Sequence, residues 1–299
     1  MKLPTAFNEI VNEIMRFTSL SREEVEHRVW MQAIEPGWNI LRDVARFGVT
    51  PFVSNEKMSQ LYQHGDGFIF ETMVFWAKPA RYLWTQEALE RVQLFAIKGD
   101  KLNNEIRILI FGDGTGSDSL YFANHGFQVD YFDVPGSLTF EFAMKRFEGY
   151  GLLGNSIRPI NDYHSCLNQS YDAVISFEVL EHLSEPVTII AEISQMLRTG
   201  GIALITDDFG NITRHLPTHL KTNSKYLGRT PFLFLRQNMI LSWYSTQTLF
   251  KPMEFVKLTK VSPYNWFSLF YDDNVRSLFL SRYSNKLTRL IDKLAYIRA

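Results

Sequence analysis

The chain has 299 residues, 45% of them hydrophobic and 14% aromatic, enough to fill one large domain or two small ones. Its formal net charge of -1 gives no overall positive field for nucleic acid. One cysteine, Cys166, excludes an internal disulfide and argues against a zinc cluster.

The N-terminal stretch MKLPTAFNEIVNEIMRF carries acids and no long apolar segment, so it does not read as a signal peptide. No uncharged apolar run reaches the roughly 18 residues that span a bilayer. The expectation is a cytoplasmic globular protein without stable membrane insertion. Residues 1–100 read as a helical cap. Phe7, Ile10, Val11, Ile14 and Met15 share one helical face. Ser21 with Glu24 forms a capping-box pattern before EVEHRVWMQAI, and Pro36-Gly37 breaks it. TQEALERVQLFAIKG predicts a further helix with Thr85 as N-cap and Gly99 as its stop. Between these, GDGFIFETMVFWAKPARYLW is dense in aromatics. It suits a plain packing cap or a substrate lid.

From 105 to 206 the pattern alternates. RILIF, FQVDYF, YDAVISF and IALIT predict buried parallel strands. SDSLYFANHG and PVTIIAEISQMLR predict helices between them. Such alternation implies a doubly wound sheet with its loops gathered at the strand C-terminal ends. Residues 207–250 are irregular. EFVKLTKV and NWFSLFYD then predict two strands joined across Ser262 and Pro263. From Val275 onward six Lys/Arg stand against one Asp, with Leu287, Leu290, Ile291 and Leu294 at helical spacing. That tail, 274–299, suits a basic amphipathic helix, on a membrane or packed on a domain.

The stretch GDGTGS follows the first strand and opens a helix. Glycine there permits a tight turn and close approach of a ligand to the backbone. The helix N-terminus points unpaired N–H groups at the same place. A dinucleotide fingerprint needs Gly-x-Gly-x-x-Gly, but Ser117 holds its third position, and Gly112, Gly114 and Gly116 give Gly-x-Gly-x-Gly. Asp133, 21 residues after Gly112, ends the second strand, where a carboxylate can accept both hydroxyls of a ribose.

These stretches resemble the class I S-adenosylmethionine-dependent methyltransferases. ILIFGDGTG is similar to the family's first motif and VDYFDV to its second. YDAVISFEVLEHLSEP followed by LRTGG is similar to the subfamily that uses Glu-Val-Leu-Glu-His. The resemblance covers about residues 105–206. Two positions depart from the pattern: Ile110 replaces the usual acid two before the first glycine, with Asp113 inside the loop, and Thr199-Gly200-Gly201 replaces Pro-Gly-Gly.

The resemblance implies that Gly112, Asp113, Gly114 and Gly116 line the methionine and ribose side of S-adenosyl-L-methionine, and that Asp133 binds the ribose. It implies Asp162, beside Asn161, near the adenine amine, and Phe177 and Glu178 at the methyl-transfer end. Glu181 and His182 match the family's pair, His182 as a pocket-wall residue.

Methyl transfer from a sulfonium needs alignment and exclusion of water, and a base only if the acceptor keeps its proton. DDFGNITRHLPTHLKTN offers Asp207, Asp208, His215 and His219, with His219 the first candidate and His215 the second, because histidine titrates near neutrality. Arg214 and Lys221 suit an anionic acceptor or a solvated face. Phe75, Trp76, Tyr82 and Trp84 suit an acceptor wall or a core. No acid cluster argues for a metal.

The expected architecture is α/β: a Rossmann-like doubly wound, mostly parallel sheet with an antiparallel C-terminal hairpin, plus an N-terminal helical cap. The parts are a cap or lid over 1–100, a cofactor-binding catalytic domain over 101–273 with an acceptor-site insertion at 207–250, and the helix at 274–299. The expected function is O-methylation of a small or medium acceptor, such as a natural product, peptide or sugar. A nicotinamide-dependent oxidoreductase and a non-catalytic S-adenosylmethionine-binding scaffold stay open as alternatives. The expected partner is a small-molecule or peptide acceptor, not nucleic acid, and a homodimer or fused partner domain is left open.

Overall fold

The computed structural model describes residues 3–265 and 268. At the centre lies β1 (Arg107–Phe111), whose side chains enter two cores in turn. Ile108 and Ile110 pack into one hydrophobic cluster, Leu109 and Phe111 into the other. A strand buried on both faces requires helices on both, which is why its sequence is a continuous apolar run rather than an alternation.

The other strands are β2 (Gln128–Phe132), β3 (Ile157–Pro159), β4 (Tyr171–Phe177), β5 (Leu197–Thr206), β6 (Met239–Tyr244) and β7 (Met253–Lys257). Their order is β3-β2-β1-β4-β5-β7-β6. Pairing is parallel from β3 to β5 and antiparallel at β5–β7 and β6–β7. The chain order reverses between β1 and β4, so a crevice opens at their C-terminal ends. This is a Rossmann-like sheet.

Helices α1 (Phe7–Phe17), α2 (Arg22–Ile34), α3 (Trp38–Phe47), α4 (Glu56–His64), α5 (Gly67–Trp76) and α6 (Pro79–Lys98) precede the sheet. The crossovers carry α7 (Ser117–Asn124), α8 (Leu138–Gly149), α9 (Tyr163–Leu167) and α10 (Pro186–Met196), and α11 (Thr230–Leu235) leads into β6. Ser21 caps α2 by accepting from the Glu24 N–H, as its sequence signals. Neither α8 nor β3 is apparent in the sequence reading.

Two expectations need correction. Thr85 does not start a helix: α6 begins at Pro79, whose ring presets the first helical turn, and Thr85 is buried inside it. There its hydroxyl donates to Asp118 at 2.6 Å. The antiparallel hairpin exists and the EFVKLTKV run supplies one of its strands, Met253–Lys257, but the partner strand is Met239–Tyr244 and not NWFSLFYD. Ser242 of β6 donates to the buried Glu254 of β7, and Arg91 of α6 forks onto the same carboxylate at 2.8 and 2.9 Å. Those contacts fix the pair against the body. Residues 263–265 are helical, and the rest of NWFSLFYD apart from Ser268 lies outside the described residues, as does the helix expected at 274–299. Among the described residues, no helix is long and apolar enough to cross a membrane.

Candidate active site

The loop after β1 is held from four directions. Tyr131 of β2 donates its hydroxyl to the Gly114 carbonyl at 2.6 Å. Arg146 of α8, wholly buried, donates to the Thr115 carbonyl at 2.5 Å. The Gly114 N–H donates to Asp133 at 2.7 Å. The Asp113 carboxylate accepts from the Asp118 and Ser119 N–H groups at 3.0 and 2.7 Å, capping α7 from inside the loop. A loop so tied is pre-organised.

Glycine is required here by space as well as by backbone. Gly112 has φ 78°, and a Cβ on it would lie 2.4 Å from Val179. Gly116 has φ 77°, and its Cβ would lie 2.3 Å from the Phe147 ring. The first glycine therefore lets the turn after β4 close against the loop, and the third lets α8 do so.

A cavity of about 560 Å³ opens beside this loop. It is lined by Gly112, Asp113, Gly114, Phe132, Asp133 and Val134. Tyr62, Glu71, Phe177, Glu178, Asp208 and His219 line it as well. His182, Phe75 and Trp76 also lie on its wall. The remaining expected residues do not line it. Gly116 packs under the loop. Asp162 is an exposed N-cap of α9, accepting from the His164 N–H at 3.3 Å and the Ser165 hydroxyl at 3.1 Å. Tyr82 packs edge-on against Trp76 and Tyr121. Trp84 is buried against Phe75 and Phe177. Arg214 is exposed and donates to His215 at 3.1 Å.

The electrostatics of the wall are mostly acidic. Burial pushes Glu71 up to about 7, opposed only by Lys78. Burial and the nearby Asp118 carboxylate push Asp113 up to about 7. Burial raises Asp133, against the N–H groups of Val134 and Gly114 that hold its charge. Burial works against the Lys251 ammonium, but Glu178, 2.8 Å away, holds it above the ordinary lysine range. Glu178 itself sits at φ 55°, a conformation that costs energy outside glycine and is held by its N–H bond to the Thr206 hydroxyl at 2.9 Å. Burial, with the charges of His182 and Lys251, lowers His219 to about 3.

This arrangement suits a cationic nucleoside and not a pyrophosphate. An anion would need the α7 N-terminal N–H groups, and the Asp113 carboxylate already occupies those of Asp118 and Ser119. Each Asp133 oxygen accepts one backbone N–H, from Gly114 and Val134, and retains a lone pair for a hydroxyl. Ile110, at the position where the related motif carries an acid, is sealed in the core. The residues present therefore fit S-adenosylmethionine: Asp133 for the ribose, the glycine loop for close approach, and acidic walls for the sulfonium.

The fold and this crevice define a nucleoside-binding Rossmann-like enzyme class. The methyltransferase-domain family matches residues 80–258, more than half of the chain. The chain belongs to that family, and is a class I S-adenosylmethionine-dependent methyltransferase. No curated protein sequence matches it. Among solved structures it is similar to magnesium protoporphyrin IX methyltransferase from Synechocystis with bound cofactor, at 13% identity over 77% of this chain and 97% of that one, TM-score 0.44. It is similar to an O-methyltransferase family protein from Burkholderia thailandensis, at 12% identity over 79% and 72%, TM-score 0.45. An O-methyltransferase from a Brevibacillus brevis multienzyme, in complex with S-adenosylhomocysteine, gives 18% identity over 55% and 60%, TM-score 0.38.

Sequence reasoning missed Glu71, Tyr62 and the role of Arg146. Glu71 did leave a signal. It is the only charge between Asp66 and Lys78 in an otherwise apolar and aromatic run.

Proposed function

We propose that this enzyme transfers a methyl group from S-adenosylmethionine to an oxygen of a small or medium acceptor, such as a natural product, peptide or sugar. The observation that carries the reading is one cavity lined both by the glycine loop with Asp133 and by Glu71, a proton acceptor matched to neutral pH. Bound there, the cofactor supplies an activated methyl group on a sulfonium with a neutral leaving group. Gly112, Gly114 and Asp133 would hold it. Phe177, Val179 and Trp76, on the cavity wall, would exclude water.

A hydroxyl acceptor needs its proton taken as the oxygen attacks. His219, lowered to about 3, is a weak acceptor for that proton. His215 does not line the cavity. Glu71, raised to about 7, has the affinity that general-base work at neutral pH favours. Glu71 is therefore the proposed base, and Asp208 on the same wall is the proposed partner for acceptor polar groups.

The test is a panel of hydroxyl, amine and carbon acceptors incubated with the full chain and labelled cofactor. Products are read by mass and by the carbon shift of the new methyl group. Methoxy products, reduced at least a hundredfold in Glu71→Gln, are expected. Methylamine or C-methyl products alone would overturn the oxygen assignment.

A further inference from the structure

We propose that Glu181, His182 and His219 form a site for one divalent transition-metal cation in the wall of the cavity. Its suggested role toward the acceptor rests on the function proposed above, but its existence does not. One ligand atom from each of the three residues lies within 4.8 Å of the others. Tetrahedral ligation at about 2.1 Å sets donor atoms ~3.4 Å apart, so side-chain movements of about an ångström would close the site.

Three observations point to a ligand rather than to chance proximity. Glu181 is wholly buried, and neither carboxylate oxygen has a hydrogen-bond partner on the protein. A buried carboxylate left so is costly, and a cation would offset that cost. His219 is 4% exposed, and its Nδ1 is buried without a partner. His182 engages the Thr218 carbonyl through Nδ1 at 3.2 Å. That is the usual second bond of a metal-bound histidine, and it leaves Nε2 as the nitrogen to ligate.

The backbone brings the three together without help from an ion. Glu181 and His182 lie in the short turn Leu180–His182 after β4, and His219 lies in the segment after β5. The Glu181 carbonyl accepts from the Leu220 N–H at 3.0 Å and from the Asn223 side-chain amide at 3.1 Å. Asn223 also donates to the Leu183 carbonyl at 2.8 Å. The two imidazole rings meet edge to face, centroids 4.8 Å apart.

Two imidazoles and one carboxylate select zinc, iron or a related first-row ion over magnesium or calcium, which favour all-oxygen shells. His182 and His219 line the cavity, so a fourth position would face the acceptor. An acceptor hydroxyl bound there would lose its proton more readily, to Glu71 or to water. Its oxygen would then form the new bond to the methyl carbon as the carbon–sulfur bond breaks, and that electron pair would stay on sulfur.

The test uses the full chain stripped by a chelator. Zinc is titrated by calorimetry and cobalt by its visible absorption, with S-adenosylhomocysteine titrated into the same preparation. One equivalent at micromolar affinity or tighter, with a tetrahedral cobalt band, is expected. Affinity should fall at least tenfold in both Glu181→Gln and His219→Ala, with folding of each checked by circular dichroism. No stoichiometric uptake by the wild-type chain would overturn the proposal, as would uptake equal in wild type and both variants. Binding of S-adenosylhomocysteine without metal would end the metal site and leave the methyltransferase reading standing. Metal without S-adenosylhomocysteine would do the reverse.

Discussion

Single residues decide the geometry of the glycine loop, and each for its own reason. Gly116 does not line the cavity beside the loop, yet it has φ 77° and meets Phe147 at 2.3 Å if given a Cβ. Gly116→Ala should cost about 2 kcal/mol or more, from left-handed strain plus overpacking. Urea unfolding checks this, and a loss below about 0.5 kcal/mol would show that α8 yields to the methyl group. Much of this scale was legible in the sequence. The three glycines and Asp133 lie at short, fixed spacing around one strand–turn–helix unit, so local chemistry announces them. Asp162 was not legible. Its distance from the cavity depends on how α9 leaves β3, and its side chain is already used in capping that helix. Glu71 was marked by its isolation in an apolar run, but not by anything that said which strand ends α5 would cover.

Elements carry the next layer, because α1, α5, α6 and α8 are tied to the loop through buried charges. Arg146 of α8 bonds Glu13 of α1 at 2.9 Å, the Thr115 carbonyl at 2.5 Å and the Ser117 hydroxyl at 3.0 Å. Asp118 at the start of α7 accepts from Trp76 of α5 and pairs with Arg81 of α6. Replacing one partner leaves the other buried and uncompensated. Arg146→Met should therefore destabilise by about 3 kcal/mol, measured by chemical denaturation, despite its similar volume. A change under about 1 kcal/mol would mean that Tyr150, which donates to both Glu13 oxygens at 2.8 Å, is enough to hold that carboxylate. The central strands were readable because burial on both faces writes a continuous apolar run. The hairpin partner was misread because MILSWY and NWFSLFYD are comparable apolar runs, and long-range pairing with Glu254 and Arg91 decides between them.

At the scale of the molecule, the helices before the sheet and the strand ends enclose one acidic chamber. Its carboxylates are raised mainly by burial, which gives stability a definite dependence on pH. Glu71 is raised from 4.5 to about 7 and Asp113 from 3.8 to about 7. Between the ordinary and the raised values, the folded protein holds protons that the unfolded chain has released. Stability should therefore fall as pH rises from about 4 to about 7. The melting temperature of the ligand-free protein should be higher at pH 5.5 than at pH 7.5, on the order of a few degrees, with the difference reduced in Glu71→Gln. A flat or rising profile would mean that these carboxylates are solvated. The same acidic chamber is what should attract a sulfonium nucleoside, since a buried wall that favours protons also favours other cations.

Calorimetric titration of the full chain with S-adenosylhomocysteine, with NAD as the control, would show whether the Asp133 crevice holds the cofactor. Binding near the micromolar range, about -8 kcal/mol, lost on Asp133→Ala, with no binding of NAD, is the expected result. Binding of NAD, or binding of S-adenosylhomocysteine unchanged by Asp133→Ala, would contradict it.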